Sequence, residues 1–316
     1  MLLDTLRSVA TFLLVTALSA VGASAQTADR AAIAKLDAAL SALVQKDESR
    51  WQRVIVQAAP NELPALTAAL RARNNVVGRV HPVINALSAS VPVAQLVSLT
   101  RLPSVVSISL DAVVTADQTA STEYTLRGSL GLPAQTQSGN RVGVAVIDSG
   151  LEAGPEFDDR IAGFYDFTQS GKMGTPTDPY GHGTHVAGLI AGNGDLSGKR
   201  YRGLAPKARL IVLKVLDQYG AGHTSDVISA IEFVTANKAK LGVDIINLSL
   251  GHPIYEPAAT DPLVQAVEAA ARAGIVVVAS AGNHGVMAES ELPGYAGIVS
   301  PANAPSAIAV GAVKTF

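Results

Sequence analysis

A chain of 316 residues that is 48% hydrophobic and 16% charged can bury a large core in one or two domains, which excludes a disordered tail. Its 26 acidic and 24 basic residues leave a formal charge of −2 with no long run of either sign, so nucleic acid and anionic membrane surfaces are not expected partners and a neutral or organic substrate fits better. No cysteine is present, which excludes disulfides and cysteine-ligated zinc.

Residues 1–25 have the layout of a secretory signal peptide. Arg7 precedes an apolar run from Val9 to Val21, and Ala23-Ser24-Ala25 supplies a small-x-small cleavage site, although Asp4 departs from a purely basic leader. The run is shorter than the ~20 apolar residues a membrane span needs. Export to a secreted or periplasmic location, with cleavage after Ala25 and no membrane attachment afterwards, is expected.

Residues 26–50 form an N-terminal helical segment, in which Ile33, Leu36, Leu40, Leu43 and Val44 share one stripe of a helix over 29–46. Over 51–115 the pattern reads strand (RVIVQA), helix (NELPALTAALRAR), strand (NVVGRVHPV), strand (INALSASVP), helix (PVAQLVSLTRL) and a last strand (SVVSISLDAVV). That order is the β-α-β-β-α-β unit of ferredoxin-like α+β domains. Residues 116–140 are polar and aperiodic, a linker. From 141 to 316 near-continuous apolar strands (RVGVAVIDSG, ARLIVLKVLD, VDIINLSLG, GIVVVASAGN) alternate with helical patterns, HVAGLIAG, then SDVISAIEFVTANKAK with Ser225 as cap, then DPLVQAVEAAARAG with Asp261 as cap, Pro262 first in the helix and Gly274 after it. The fold class expected is α/β, a doubly wound parallel sheet preceded by the small α+β domain.

In such sheets the ligand lies beyond the carboxyl ends of the strands. Asp148, Ser249 and Asn283 stand at three of those ends, and a glycine-rich loop with His182 and His185 opens a helix after the first strand. Singly, Asp, Ser and Asn after strands are ordinary turn residues. Together, a carboxylate that orients an imidazole, an imidazole that takes a proton from a nucleophile and an amide that donates to an oxyanion are parts of an acyl-transfer site. A zinc site fits less well, since the histidines are at i, i+3 without the intervening Glu of an i, i+4 pair. A phosphate-binding module lacks a G-x-G-x-x-G or G-x-x-x-x-G-K-[ST] at a strand–helix junction. His223, His252 and His284 read as solvated loop residues.

VAVIDSG, GHGTHVAG, the SLG of NLSLG and VVVASAGN, in this order, resemble the subtilisin-like serine proteases of the S8 peptidase family from about residue 140 to the end. The resemblance implies Asp148 as the carboxylate, His182 as general base and Asn283 as oxyanion donor, the roles these residue types hold in subtilisin itself. It makes His185 a structural residue of the helix and Ser149 a turn residue. It also implies that Gly220-Ala221-Gly222 and Ser249-Leu250-Gly251 bind peptide substrate by backbone pairing, with His252 and Pro253 departing from the small residue that often follows. The unit over 51–115 looks like the I9-type propeptide of these enzymes, an intramolecular inhibitor and folding aid removed by self-cleavage between about Asp111 and Leu130. No cofactor is required, while structural calcium near Glu156 and Asn193 to Asp195 is compatible with the family.

The serine of the family's Gly-Thr-Ser-Met-Ala motif is expected roughly 160 residues past the histidine, about position 340. Ser290, Ser300 and Ser306 lack that context. The expectation is therefore a C-terminally truncated sequence, with the nucleophile beyond Phe316 and this polypeptide inactive alone. The alternative is an inactive remnant that acts as a protease-binding propeptide or chaperone.

Overall fold

The computed structural model describes residues 31–46, 50–116, 138–283 and 297–312. The leader at 1–25, most of the linker, His284 and Ser290 lie outside the described residues. The chain divides into two compact units, one of the residues up to Gly78 with Ala89–Leu110, the other of Arg79–Ser88 with the residues from Asp111 on.

The first unit contains α1 (Ala38–Gln45), β1 (Trp51–Ala58), α2 (Leu63–Ala72), α3 (Leu96–Thr100) and β4 (Val105–Leu110), and shares β2 (Val76–His81) and β3 (Ala86–Pro92) with the tip of their hairpin. The sheet order is β2-β3-β1-β4, with β1 antiparallel to β4 from Val54 opposite Leu110 to Ala58 opposite Val105. Leu66 and Leu70, one helical turn apart on α2, are fully buried, and Val54, Val56, Leu96, Leu99 and Ile108 complete the core. The helix expected over 29–46 is broken. Leu36 bridges to Ile108, and the Asp37 side chain accepts hydrogen bonds from Leu40 N–H, as cap of α1, and from Leu110 N–H, 73 residues away. A carboxylate that satisfies a strand donor as well as a helix start outweighs continuation of the helix through it.

The second unit is built on a seven-stranded sheet. Its strands are β6 (Gly143–Asp148), β7 (Ile161–Asp166), β8 (Lys172–Met173), β9 (Arg209–Lys214), β11 (Ile245–Leu248), β13 (Val276–Ser280) and β14 (Ile308–Val310), in the order β14-β13-β11-β6-β9-β7-β8. All pairings are parallel except β7 with β8. Every residue of β6 is buried, and β9 is buried from Leu210 on, the pattern of strands covered on both faces. Helices α4 (His182–Ala191), α5 (Thr224–Ala236), α6 (Lys238–Leu241) and α7 (Pro262–Arg272) connect them. Asp261 caps α7 by accepting from Leu263 and Val264 N–H, and Gly274 takes φ +80° just beyond it. From β6 the sheet grows to β9 on one side and β11 on the other, so the carboxyl end of β6, at Asp148, is the switch point.

A second, three-stranded sheet has the order β10-β5-β12, with β5 (Val113–Ala116) antiparallel between β10 (Ala221–His223) and β12 (Leu250–Gly251). The segment SVVSISLDAVV is therefore two strands in two sheets and not one. It breaks where Asp111 accepts hydrogen bonds from the N–H and hydroxyl of Ser225, and Ala112 O accepts from the N–H and hydroxyl of Thr224. The same contacts correct the expected cap of α5. The helix begins at Thr224 and Ser225 lies within its first turn, where Asp111, distant in sequence, supplies the capping carboxylate.

Candidate active site

Asp148 closes β6 with its side chain fully buried, and its Oδ1 accepts the N–H of Ser149 at 2.7 Å. The same oxygen lies 2.7 Å from Nδ1 of His182, whose side chain is 8% exposed. With Asp148 ionised, Nδ1 of the imidazole carries the proton and Nε2 holds the lone pair, which is the tautomer a base needs.

His182 is placed by the start of α4. Gly181 takes φ +92°, a turn that brings the chain into the helix, and Asp178 accepts hydrogen bonds from Gly181 N–H, Thr184 N–H and the Thr184 hydroxyl. The next glycine sets the distance to β6. A Cβ on Gly183 would lie 2.2 Å from Gly150 O and 3.0 Å from Gly150 N, so α4 rests directly on the turn after Asp148. Gly183→Ala is therefore expected to push α4 off that turn and to cost about 1–3 kcal/mol of stability, read as a lower denaturation midpoint in urea at unchanged m-value.

A cavity of about 620 Å³ opens beside the pair and is lined by Tyr180, His182, His185, Ser249, Gly282 and Asn283 among others. Asn283 follows β13 after Gly282, whose φ is +93°. Beneath the site lies Lys214, opposite Asp148 in the β6–β9 register and buried. Its ammonium donates to Ser149 O and to Leu216 O. Burial pushes the Lys214 pKa below the ordinary lysine value, against the pull of Asp166, Asp178, Asp217 and Asp148.

The two segments expected to hold a peptide flank β5. Thr115 lies opposite both Ala221 and Gly251, Val114 opposite Gly222 and Ala116 opposite Leu250. Ala116 N–H donates to Gly220 O. Ser249 accepts from the Asn247 amide and faces the His182 cavity. The structure thus brings Asp148 and His182 into contact, places Asn283 on their cavity and sets Gly220, Ala221, Gly222, Leu250 and Gly251 along one strand.

Other expectations change. His252 is not solvated: it is 6% exposed, stacked on Tyr255 at 5.7 Å, and its backbone exchanges hydrogen bonds with Ser300. His223 is half-buried at the start of α5. Ser149 does more than turn the chain, since its hydroxyl donates to Asp178 and accepts from Gly183 N–H. Glu156 accepts the N–H groups of Gly194 and Leu196, one on each oxygen, and the Asn193 amide donates to Pro155 O and Asp158. These hydrogen bonds hold the loop together. Sequence reasoning passed over Asp178 and Lys214. The position of Asp178, four residues before His182 at a helix start, was the available signal.

The chain is similar to known proteins. The subtilase family model matches residues 139–315. Serine protease AprX of Bacillus subtilis is 37% identical over 236 residues, 73% of this chain and 51% of that protein. Subtilisin DY of Bacillus licheniformis is 41% identical over 182 residues, 58% of this chain and 60% of the relative. Fervidolysin from Fervidobacterium pennivorans, a keratinolytic enzyme related to subtilisin, has a similar fold, with a TM-score of 0.66 at 21% identity over 84% of this chain and 43% of its own. The chain spans about half the length of the curated relatives it matches. With a family match over more than half its length, and with the Asp148–His182 pair at the switch point of a parallel sheet, the chain belongs to the subtilase family.

Proposed function

We propose that this chain is part of an exported serine endopeptidase that hydrolyses peptide bonds through an acyl-enzyme. His182 Nε2 takes the proton of a serine hydroxyl, and the oxygen attacks the peptide carbonyl. Asn283 donates to the oxyanion that forms, the imidazolium returns its proton to the leaving amine, and water then repeats the sequence on the ester. Asp148 holds the tautomer and stabilises the imidazolium. The reaction uses side chains and backbone donors alone.

The observation that carries this proposal is the buried 2.7 Å contact between Asp148 and His182, on the same cavity as Asn283. The substrate is a polypeptide laid as a strand between β10 and β12, where backbone groups of both segments pair with its main chain. In this chain β5 takes that place. Residues 51–116 accordingly act as an intramolecular inhibitor until cleaved, and the leader at 1–25 directs export.

The test is cleavage of a fluorogenic peptide by the protein that includes the serine, before and after loss of residues 1–116. Activity that appears on that loss and disappears in His182→Ala supports the reading; hydrolysis unaffected by His182→Ala removes it.

A further inference from the structure

Asp178 is a buried carboxylate that the proposed reaction does not use; it is 8% exposed. Its Oδ1 accepts the Ser149 hydroxyl at 2.8 Å and Gly181 N–H at 2.9 Å, and its Oδ2 accepts Thr184 N–H at 2.8 Å and the Thr184 hydroxyl at 2.7 Å. These donors bracket the reacting pair. Gly181 directly precedes His182 and Thr184 follows it by two residues, while Ser149 directly follows Asp148. Ser149 closes the bracket: its Oγ accepts Gly183 N–H at 2.9 Å and its own N–H donates to Asp148 Oδ1. Asp148 Oδ2, in turn, is buried without a hydrogen-bond partner among the described residues. The orientation of that carboxylate therefore rests on Oδ1 and on the turn that carries it.

We propose that Asp178 is the positioning residue of the Asp148–His182 pair: one carboxylate ties the turn after Asp148 to the first turn of α4 and so fixes how the two side chains face each other. The proposal rests on Asp148 and His182 acting as orienter and base.

The anion is the form that the bracket needs, since all four donors point at it. Burial works to raise the Asp178 pKa, yet the hydrogen bonds from the Thr184 hydroxyl, Gly181 N–H, Thr184 N–H and the Ser149 hydroxyl hold it below the ordinary carboxylate value of 3.8. A carboxylate depressed in the folded state contributes stability above its unfolded pKa and loses it as pH falls through the lower folded value. The bracket is intact at neutral pH. Among the described residues, the ionisable groups around the pair include His185 on α4, Tyr180 before it, and Lys214 on β9 with Asp166 and Asp217 acting on it, and none of them changes in the variants below.

The test follows the imidazole of His182 by NMR in the 316-residue chain, which needs no catalysis. Asp148→Asn is expected to lower the midpoint of the His182 titration by about one pH unit or more, a tenfold weaker hold on the proton. Asp178→Asn offers one acceptor oxygen where four donors converge. It is expected to lower the midpoint in the same direction by about half that shift, and to speed exchange of the His182 Nδ1 proton with water. Ser149→Ala, which keeps the hydrogen bonds of Asp178 to Gly181 and Thr184 and removes only those of the Ser149 hydroxyl to Asp178 and from Gly183 N–H, is expected to do the same to a smaller degree and serves if Asp178→Asn fails to fold. A role confined to stability would lower the denaturation midpoint and leave the titration where it was. A His182 midpoint unchanged in Ser149→Ala and in folded Asp178→Asn, with Asp148→Asn shifted, overturns the positioning role alone. A midpoint unchanged in all three overturns the pairing of Asp148 with His182 as well.

Discussion

If the chain acts as proposed, Asp148→Asn is expected to lower kcat by about 10⁴-fold, a barrier increase of about 5.5 kcal/mol, with KM little changed. The size is that of the same substitution in a Ser-His-Asp triad, and the local geometry explains why the amide cannot substitute. Oδ1 accepts from Ser149 N–H and faces His182 Nδ1, whereas Oδ2 is buried with no partner among the described residues. If Asn keeps its oxygen at the Oδ1 place, the tautomer of His182 survives, but two amide protons are buried where no acceptor waits and the anion that would stabilise the imidazolium is gone. Each unmatched donor costs about 1–3 kcal/mol. If the amide flips, its NH₂ meets the Ser149 N–H and turns the imidazole to the wrong tautomer. Both orientations lose the negative charge in a site with no exposed surface on residue 148. Single-turnover kinetics with an ester and an amide substrate would measure the loss. A decrease below tenfold, in a variant that folds as the parent does, would take Asp148 out of the reaction.

The residues in that prediction were legible in the sequence because each ends or opens an element with a strong local signal. Asp148 closes a fully buried apolar run, Asn283 follows another, and His182 sits among glycines at a helix start. The start of α7 was equally readable, since Asp261, Pro262 and Gly274 act through local backbone rules. What escaped depends on partners far along the chain. The split between β4 and β5 is made by Asp111, whose donors on Ser225 lie 114 residues away, and nothing in SVVSISLDAVV itself marks the break. The interruption of the first helical segment comes from Asp37 binding Leu110. Strand β7, IAGFYD, was missed because it carries glycine and a polar end, and only its Phe164 is buried. The part of Asp178 in the site required the Ser149 hydroxyl, 29 residues away, to be known as a neighbour. The positions of the candidate site residues were written in local motifs, and the framework that holds them in long-range hydrogen bonds.

Val114→Asp is expected to free the space between β10 and β12 that β5 occupies. Strand β5 alternates: Val113 is 54% exposed, Val114 is fully buried and Thr115 is exposed again. Only the Val114 side chain is fully buried, and in register it lies opposite Gly222. An ionised carboxylate carried into that place costs several kcal/mol unless it is paired. The strand is four residues long, and the hydrogen bonds that hold it, such as Ala116 N–H to Gly220 O, contribute about 1 kcal/mol each. Those terms do not cover the penalty, so the strand leaves the groove while the seven-stranded sheet stays folded. Hydrogen exchange at the amides of Ala221 to His223 and of Leu250 and Gly251 should then accelerate by about 10²-fold, the factor that corresponds to losing about 2.7 kcal/mol of local protection. A synthetic peptide with the sequence of residues 111–116 should bind the Val114→Asp chain and not the parent, whose groove is filled. Val113→Asp places the same charge on the exposed face and should alter neither result. Equal protection of both segments in Val114→Asp and the parent would mean that β5 is held by something other than its buried valine. Under the proposed function, Val114→Asp should also bring peptide cleavage forward, before loss of residues 51–115, because the same backbone groups that release β5 would become available to a substrate strand.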